Sequence, residues 1–154
     1  MQCTARVAML DTQNGQRLAR RLRLTWQPFF ARHGRFTEVQ LRAIPVILDG
    51  SDALVCSPTA SGKTEAAIAP LVERFHRPRS LWTILYVCPT RALVNDLFER
   101  LADPINQLGI TIIRRTGDHH DSLNEVPNIL VTTPESFDSL LCRARNKKFK
   151  HALA

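Results

Sequence analysis

Four short, almost purely apolar runs punctuate this chain: Ala53–Cys56, Leu81–Cys88, Ile110–Ile113 and Asn128–Thr132. Stretches of helical period separate them. The segment after residue 63 places Ala67, Ile68, Leu71, Val72 and Phe75 on one face. Residues 91–108 do the same with Leu93, Val94, Leu97, Leu101, Ile105 and Leu108, and both patterns predict amphipathic helices. Proline interrupts each pattern, at Pro70 and Pro104, and predicts a bend there. Strands that read as continuous apolar runs are covered on both faces, and helical crossovers join parallel neighbours. The expected fold is therefore α/β, a parallel sheet with helices on both faces. Each run ends in a polar or proline-containing turn: Ser57-Pro58-Thr59, Pro89-Thr90-Arg91, Thr116-Gly117-Asp118 and Thr133-Pro134-Glu135. Parallel strands finish on a common edge, where such sheets bind ligands.

The first of these turns carries the most chemistry. Ser57-Pro58-Thr59-Ala60-Ser61-Gly62-Lys63-Thr64 lies between an apolar run and a helix, the context in which Gly-Lys-Thr signals a phosphate loop. Successive backbone N–H groups would face phosphate oxygens, and the following helix adds its positive dipole end. Lys63 would reach the β- and γ-phosphates and the Thr64 hydroxyl would hold Mg²⁺. Ser57 stands where the usual pattern begins with glycine, and Ala60 replaces a second, variable glycine. Only Gly62 is then free to take a left-handed backbone conformation without cost.

Composition sets wider bounds. With 154 residues the chain is one domain or part of one, with an ordinary 44% of hydrophobic and 23% of charged residues. No apolar run approaches a membrane span and no secretory leader is visible, so no membrane association is expected. Cys3, Cys56, Cys88 and Cys142 are scattered, which argues against a disulfide framework or zinc site and for a reducing cytoplasm. Cys56 and Cys88 end apolar runs and are expected to be buried. A formal charge of +7 suits a polyanionic partner, and equally a solvated basic surface.

Elsewhere the pattern is local. Residues 16–24 put Leu18 and Leu22 on one helical face and arginines on the others; solvated arginines and a nucleic-acid contact stand as even alternatives. The cluster Trp26 to Phe30 reads as packing. Gly34 ends a helical segment, and Thr37 begins another as N-cap, with Gln40 at the capping-box position. Val39, Ile44 and Ile47 or Leu48 would form the buried stripe of that helix, which Asp49-Gly50 closes. His119-His120-Asp121 lacks further ligands at metal-binding spacing. The basic tail from Arg143 to Lys150 reads as a solvated terminus.

Taken in order, FTEVQ (Phe36 to Gln40), SPTASGKTE (Ser57 to Glu65), PTRALVNDL (Pro89 to Leu97), TGD (Thr116 to Asp118) and TTPESF (Thr132 to Phe137) resemble one family. They are similar to the first RecA-like lobe of superfamily-two DEAD/DEAH-box helicases, within that group to the large helicase-related branch. The resemblance covers about Phe29 to Leu141. It implies a P-loop NTPase fold, with ATP and Mg²⁺ as cofactors and DNA or RNA as partner. It implies that Gln40 reads the adenine edge, a task suited to an amide with both donor and acceptor; without the resemblance, capping is the favoured role. The stretch Ser57 to Thr64 would hold the nucleotide's phosphates. Pro89, Thr90, Arg91, Gly117, Thr133, Pro134 and Glu135 would contact the nucleic-acid backbone, with Gly117 exposing amides, Thr133 a hydroxyl and Arg91 a charge. Such contacts would be independent of base sequence. Pro89-Thr90-Arg91 also suits a strand-to-helix turn with Thr90 as N-cap.

The resemblance also implies parts that this sequence does not show. The family's Asp-Glu pair after a further strand, its Ser-Ala-Thr-like coupling motif and its second lobe have no counterpart here. The chain is therefore expected to be the front part of a longer helicase, a fragment, a truncation or a broken reading frame. Residues 1–34 would form a helical extension and 35–154 a partial ATP-binding lobe. In the related fold the missing strands lie mid-sheet, so exposed edges and low stability are expected of this chain alone. An enzyme completed by absent residues and a non-catalytic remnant with weak binding both remain open. A small-molecule kinase fits less well, because kinases have no need of PTRAL and TTPES.

Overall fold

A computed structural model describes residues 13–76, 82–117 and 126–142. The chain forms two compact units, divided between His76 and Arg77. His119, His120, Asp121 and the basic tail lie outside the described residues.

The first unit is helical. Residues 13–21 form α1, which buries Leu18 and leaves Arg17, Arg20 and Arg21 exposed; Leu22, the next residue after it, is also buried. A short helix α2 (Trp26–Phe29) follows, and Trp26, Phe30 and Phe36 meet with ring centroids 4.9 to 6.0 Å apart, so the aromatic cluster is packing. Gly34 turns the chain in the left-handed region, at φ 65°. Helix α3 (Glu38–Leu48) starts at a complete capping box between Thr37 and Gln40 and ends at Asp49. It buries Gln40, Ala43 and Ile44 against α4 (Lys63–Phe75), which buries Ala66, Ile68, Ala69, Pro70 and Val72. Helix α4 continues through Pro70 to Phe75. Glu73, near its end, clasps the turn after α1. Its carboxylate accepts the backbone N–H groups of Arg23, Leu24 and Thr25, at 3.0 Å in the best contact of each, and the Thr25 hydroxyl at 3.0 Å.

One expected strand is absent. Residues 53–56 belong to no strand, Leu54 is 92% exposed, and Cys56 is exposed rather than buried. A strand exists only through the hydrogen bonds of a neighbour, and among the described residues none pairs with this run.

The second unit is a three-stranded parallel sheet in the order β1-β3-β2, with β1 spanning Ile84–Val87, β2 Ile112–Arg115 and β3 Ile129–Thr132. Central β3 is buried along its whole length. Register aligns Leu85, Leu130 and Ile113 in one row, so alternation puts them on one face. Leu140 and Phe137 of α6 (Pro134–Cys142) pack there. The other face takes α5 (Arg91–Asn106) through Val94, Leu97, Leu101 and Ile105. Helices thus cover both faces, as expected. Strand β2 lies two residues further on than the apolar run predicted. Arg114 is held in it by a 3.1 Å hydrogen bond to Asn95 and by stacking 4.9 Å from the Phe98 ring centroid, both on α5.

Candidate functional sites

In the first unit the loop 57–64 is held by side chains. The Thr37 hydroxyl caps α3 and donates to the Ser61 carbonyl at 2.9 Å. Gln40 Oε1 accepts the Thr37 N–H at 3.0 Å, while Nε2 donates to the Gly62 carbonyl at 3.3 Å. The amide that the resemblance assigns to adenine is therefore committed at both ends to its own cap and to the loop. The Ser57 and Ser61 hydroxyls meet at 2.6 Å. Lys63 Nζ donates to the Ser57 carbonyl at 2.6 Å and to that of Pro58, so the ammonium folds back into its own loop.

Backbone geometry explains the glycine. Gly62 stands at φ 88°, in the left-handed region, and a Cβ there would lie 2.3 Å from Gln40 Nε2, far inside contact distance. Ala60 also takes positive φ, 57°, so the loop needs two left-handed residues where one was expected, and one of them carries a side chain. The first intrahelical bond of α4 runs from Ala66 N–H to the Gly62 carbonyl. The N–H groups of Lys63, Thr64 and Glu65 thus precede any i−4 acceptor and carry the helix's positive end. An ammonium, a hydroxyl and a helix N-terminus form a donor set that fits a nucleotide's phosphates with their Mg²⁺.

In the second unit strand register builds the site. Cys88 N–H donates to the Thr132 carbonyl at 2.8 Å, and the buried Thr132 hydroxyl donates to the Arg115 carbonyl at 2.8 Å, stitching three strand ends side by side. The turns that follow surround a cavity of about 500 Å³. Pro89, Thr90, Arg91, Gly117, Thr133 and Glu135 line it, as do Arg115, Ser136 and Ser139; Pro134 does not. Helices α5 and α6 both begin at this rim. Thr90 caps the first by accepting Leu93 N–H at 3.3 Å, and Thr133 accepts Ser136 N–H at 3.4 Å at the start of the second. Among the described lining residues two guanidinium groups and two helix N-termini stand against one carboxylate, Glu135, a balance that favours an anion. Burial pushes the Cys88 thiol up from its ordinary range, so this cysteine is a neutral, apolar piece of the strand end.

Sequence reasoning brings together six of these lining residues and misses Arg115, Ser136 and Ser139. A signal for Arg115 exists, since it immediately precedes Thr116-Gly117. In the first unit, the bond from the Thr37 hydroxyl to Ser61 has no signature in residue spacing.

Comparison with known proteins places the chain in a family. The DEAD/DEAH box helicase family profile matches residues 37–153. The chain is 35% identical over 139 residues to the ATP-dependent helicase Lhr-Core of Sulfolobus acidocaldarius, a match covering 77% of this chain and 15% of that protein. It is 32% identical to the Lhr-Core of Methanocaldococcus jannaschii, covering 82% of this chain and 17% of that one. Among solved structures, a hypothetical ATP-dependent RNA helicase from Sulfolobus tokodaii superposes with a TM-score of 0.59 at 30% identity, covering 70% of this chain and 32% of that one. The chain thus spans about 15% of the length of the curated Lhr-Core relatives. On this match the chain belongs to the DEAD/DEAH box helicase family.

Proposed function

We propose that this chain is the ATP-binding front part of an ATP-dependent DNA or RNA helicase, with residues 1–34 as a helical extension of a partial nucleotide-binding lobe. Lys63, Thr64 and the amides of the loop 57–64 hold the triphosphate and its Mg²⁺. Gln40 secures the loop through Gly62 and exchanges that bond for the adenine edge when nucleotide enters. Bound ATP supplies the anhydride bond whose hydrolysis drives movement along the strand. Arg91, Gly117, Thr133 and Glu135, with Pro89, Thr90 and Pro134 shaping the turns, meet nucleic-acid phosphates without reading bases.

The observation that carries this reading is the meeting of three turns, far apart in sequence, around one cavity with two arginines and two helix N-termini. Nucleic-acid-stimulated ATPase of the full-length protein tests it. Lys63→Ala is expected to lower turnover by at least about a hundredfold, since the positioned charge on the phosphates is lost. Unchanged turnover contradicts the assignment.

A second reading, a remnant that binds nucleotide weakly, draws support from the run 53–56, which pairs with no strand among the described residues, and from Lys63 folded onto its own loop. Mg·ATP binding separates the two: affinity in the micromolar range favours the helicase, and millimolar affinity favours the remnant.

A further inference from the structure

Gly117 has a property that its place in a polar turn does not announce. Its φ lies outside the left-handed region where Gly34, Gly50, Gly62 and Gly109 stand, so backbone strain does not require glycine there. Space does. A Cβ on Gly117 would lie 2.8 Å from Arg91 Nη2, 3.2 Å from Cζ and 3.7 Å from Nε, where comfortable contact needs about 3.5–4.0 Å. The guanidinium is laid across the bare face of this residue. Arg91 opens α5 and Gly117 follows β2, so this contact joins two separate turns on the lining of the strand-end cavity.

We propose that Gly117 is a positioning residue for Arg91: the missing side chain is the seat that holds the guanidinium fork towards a phosphodiester of single-stranded nucleic acid. This rests on the reading that the cavity contacts nucleic acid, and it gives Gly117 a role other than exposing amides. The fork presents its donors in one plane, so its aim decides whether two bonds form or one. The nearest atoms to a methyl group at Gly117 belong to the far end of a flexible side chain, so it disturbs the fork and spares the fold. A lysine at 91 has no planar fork to lay on the glycine.

The test is binding of fluorescent oligo-dT and oligo-U of equal length to the full-length protein, across a range of salt. Arg91→Ala is expected to weaken binding about five- to tenfold and to reduce the salt slope by about 0.7, the value for one phosphate contact on a single strand. Gly117→Ala should reproduce both changes, and adding it to Arg91→Ala should change nothing more. Gly117→Ala combined with Arg91→Lys should bind as Arg91→Lys alone, which also shows that the alanine has not unfolded the protein. The arm with the larger loss, dT or U, identifies the backbone. Normal binding by Gly117→Ala, losses that add in the double variant, or a weakened affinity with an unaltered salt slope would overturn the seat. If Arg91→Ala itself binds like the parent, the nucleic-acid reading falls instead.

Discussion

In the second unit the candidate site residues sit where three hydrogen-bonded strands end; in the first most lie between a run that pairs with no strand among the described residues and the start of a helix. Register does the positioning in one case. The bonds Cys88–Thr132 and Thr132–Arg115 align the strand ends, and whatever follows them lands on the same rim. In the other unit side chains do that work: Thr37 and Gln40 grip the carbonyls of Ser61 and Gly62, and Lys63 grips those of Ser57 and Pro58. A glycine recurs in both with another motif's side chain on its bare face, Gln40 at Gly62, where the positive φ also demands glycine, and Arg91 at Gly117. The difference concerns rigidity. A site built on strand ends inherits the stability of a packed sheet, whereas a loop pinned by a few polar bonds can exchange them for a ligand's.

Removing one leucine from each unit sharpens this contrast most. Leu130, fully buried at the centre of β3, should cost about 3 kcal/mol as Leu130→Ala, through lost burial and the cavity left behind. Leu54→Ala should stay within about 0.5 kcal/mol, because that side chain is already in water. Urea unfolding followed by Trp82 fluorescence for the first variant and Trp26 for the second reads each unit. A large effect at Leu54 would mean that 53–56 is a paired strand in solution, and the contrast would break.

The clasp at Glu73 comes next in size. Glu73→Ala leaves three N–H groups and the buried Thr25 hydroxyl without their acceptor, and should destabilise the first unit by about 2 kcal/mol. The second unit's transition should not move. The smallest effect belongs to Ala60. An alanine at φ 57° carries a left-handed cost of about 1–2 kcal/mol, partly offset by the chain entropy that a glycine loses. Ala60→Gly should therefore stabilise by about 0.5–1 kcal/mol in the same urea titration. A loss instead would mean that the loop does not hold this conformation.

Local chemistry made some elements legible. Thr37 and Gln40 form the capping box that their spacing announces, Thr90 caps α5, Pro134 opens α6, and Ile129–Thr132 is a strand. Each of these depends on residues a few positions apart. What escaped depends on distant partners. Residues 53–56 read as a strand because β-branching and apolarity are local, but pairing is not. Arg114 and Arg115 lie beyond the apolar run that marked this strand, while in the fold Phe98 and Asn95 accommodate the first of them within it. The adenine role of Gln40 follows from family resemblance, and its bond to the Gly62 carbonyl becomes visible only in three dimensions. Gly117 was singled out for its backbone, and matters in the fold for the arginine laid over it.

Hydrogen exchange of the full-length protein, read by mass spectrometry with and without each ligand, tests most directly the claim that the loop and the rim are distinct sites for nucleotide and nucleic acid. A non-hydrolysable Mg·ATP analogue should protect amides at 37–41 and 57–66, and a single-stranded oligonucleotide should protect those at 89–93, 115–117 and 133–136. Oligonucleotide protection that avoids the strand-end rim, or nucleotide protection that avoids the loop ahead of Lys63, would contradict it.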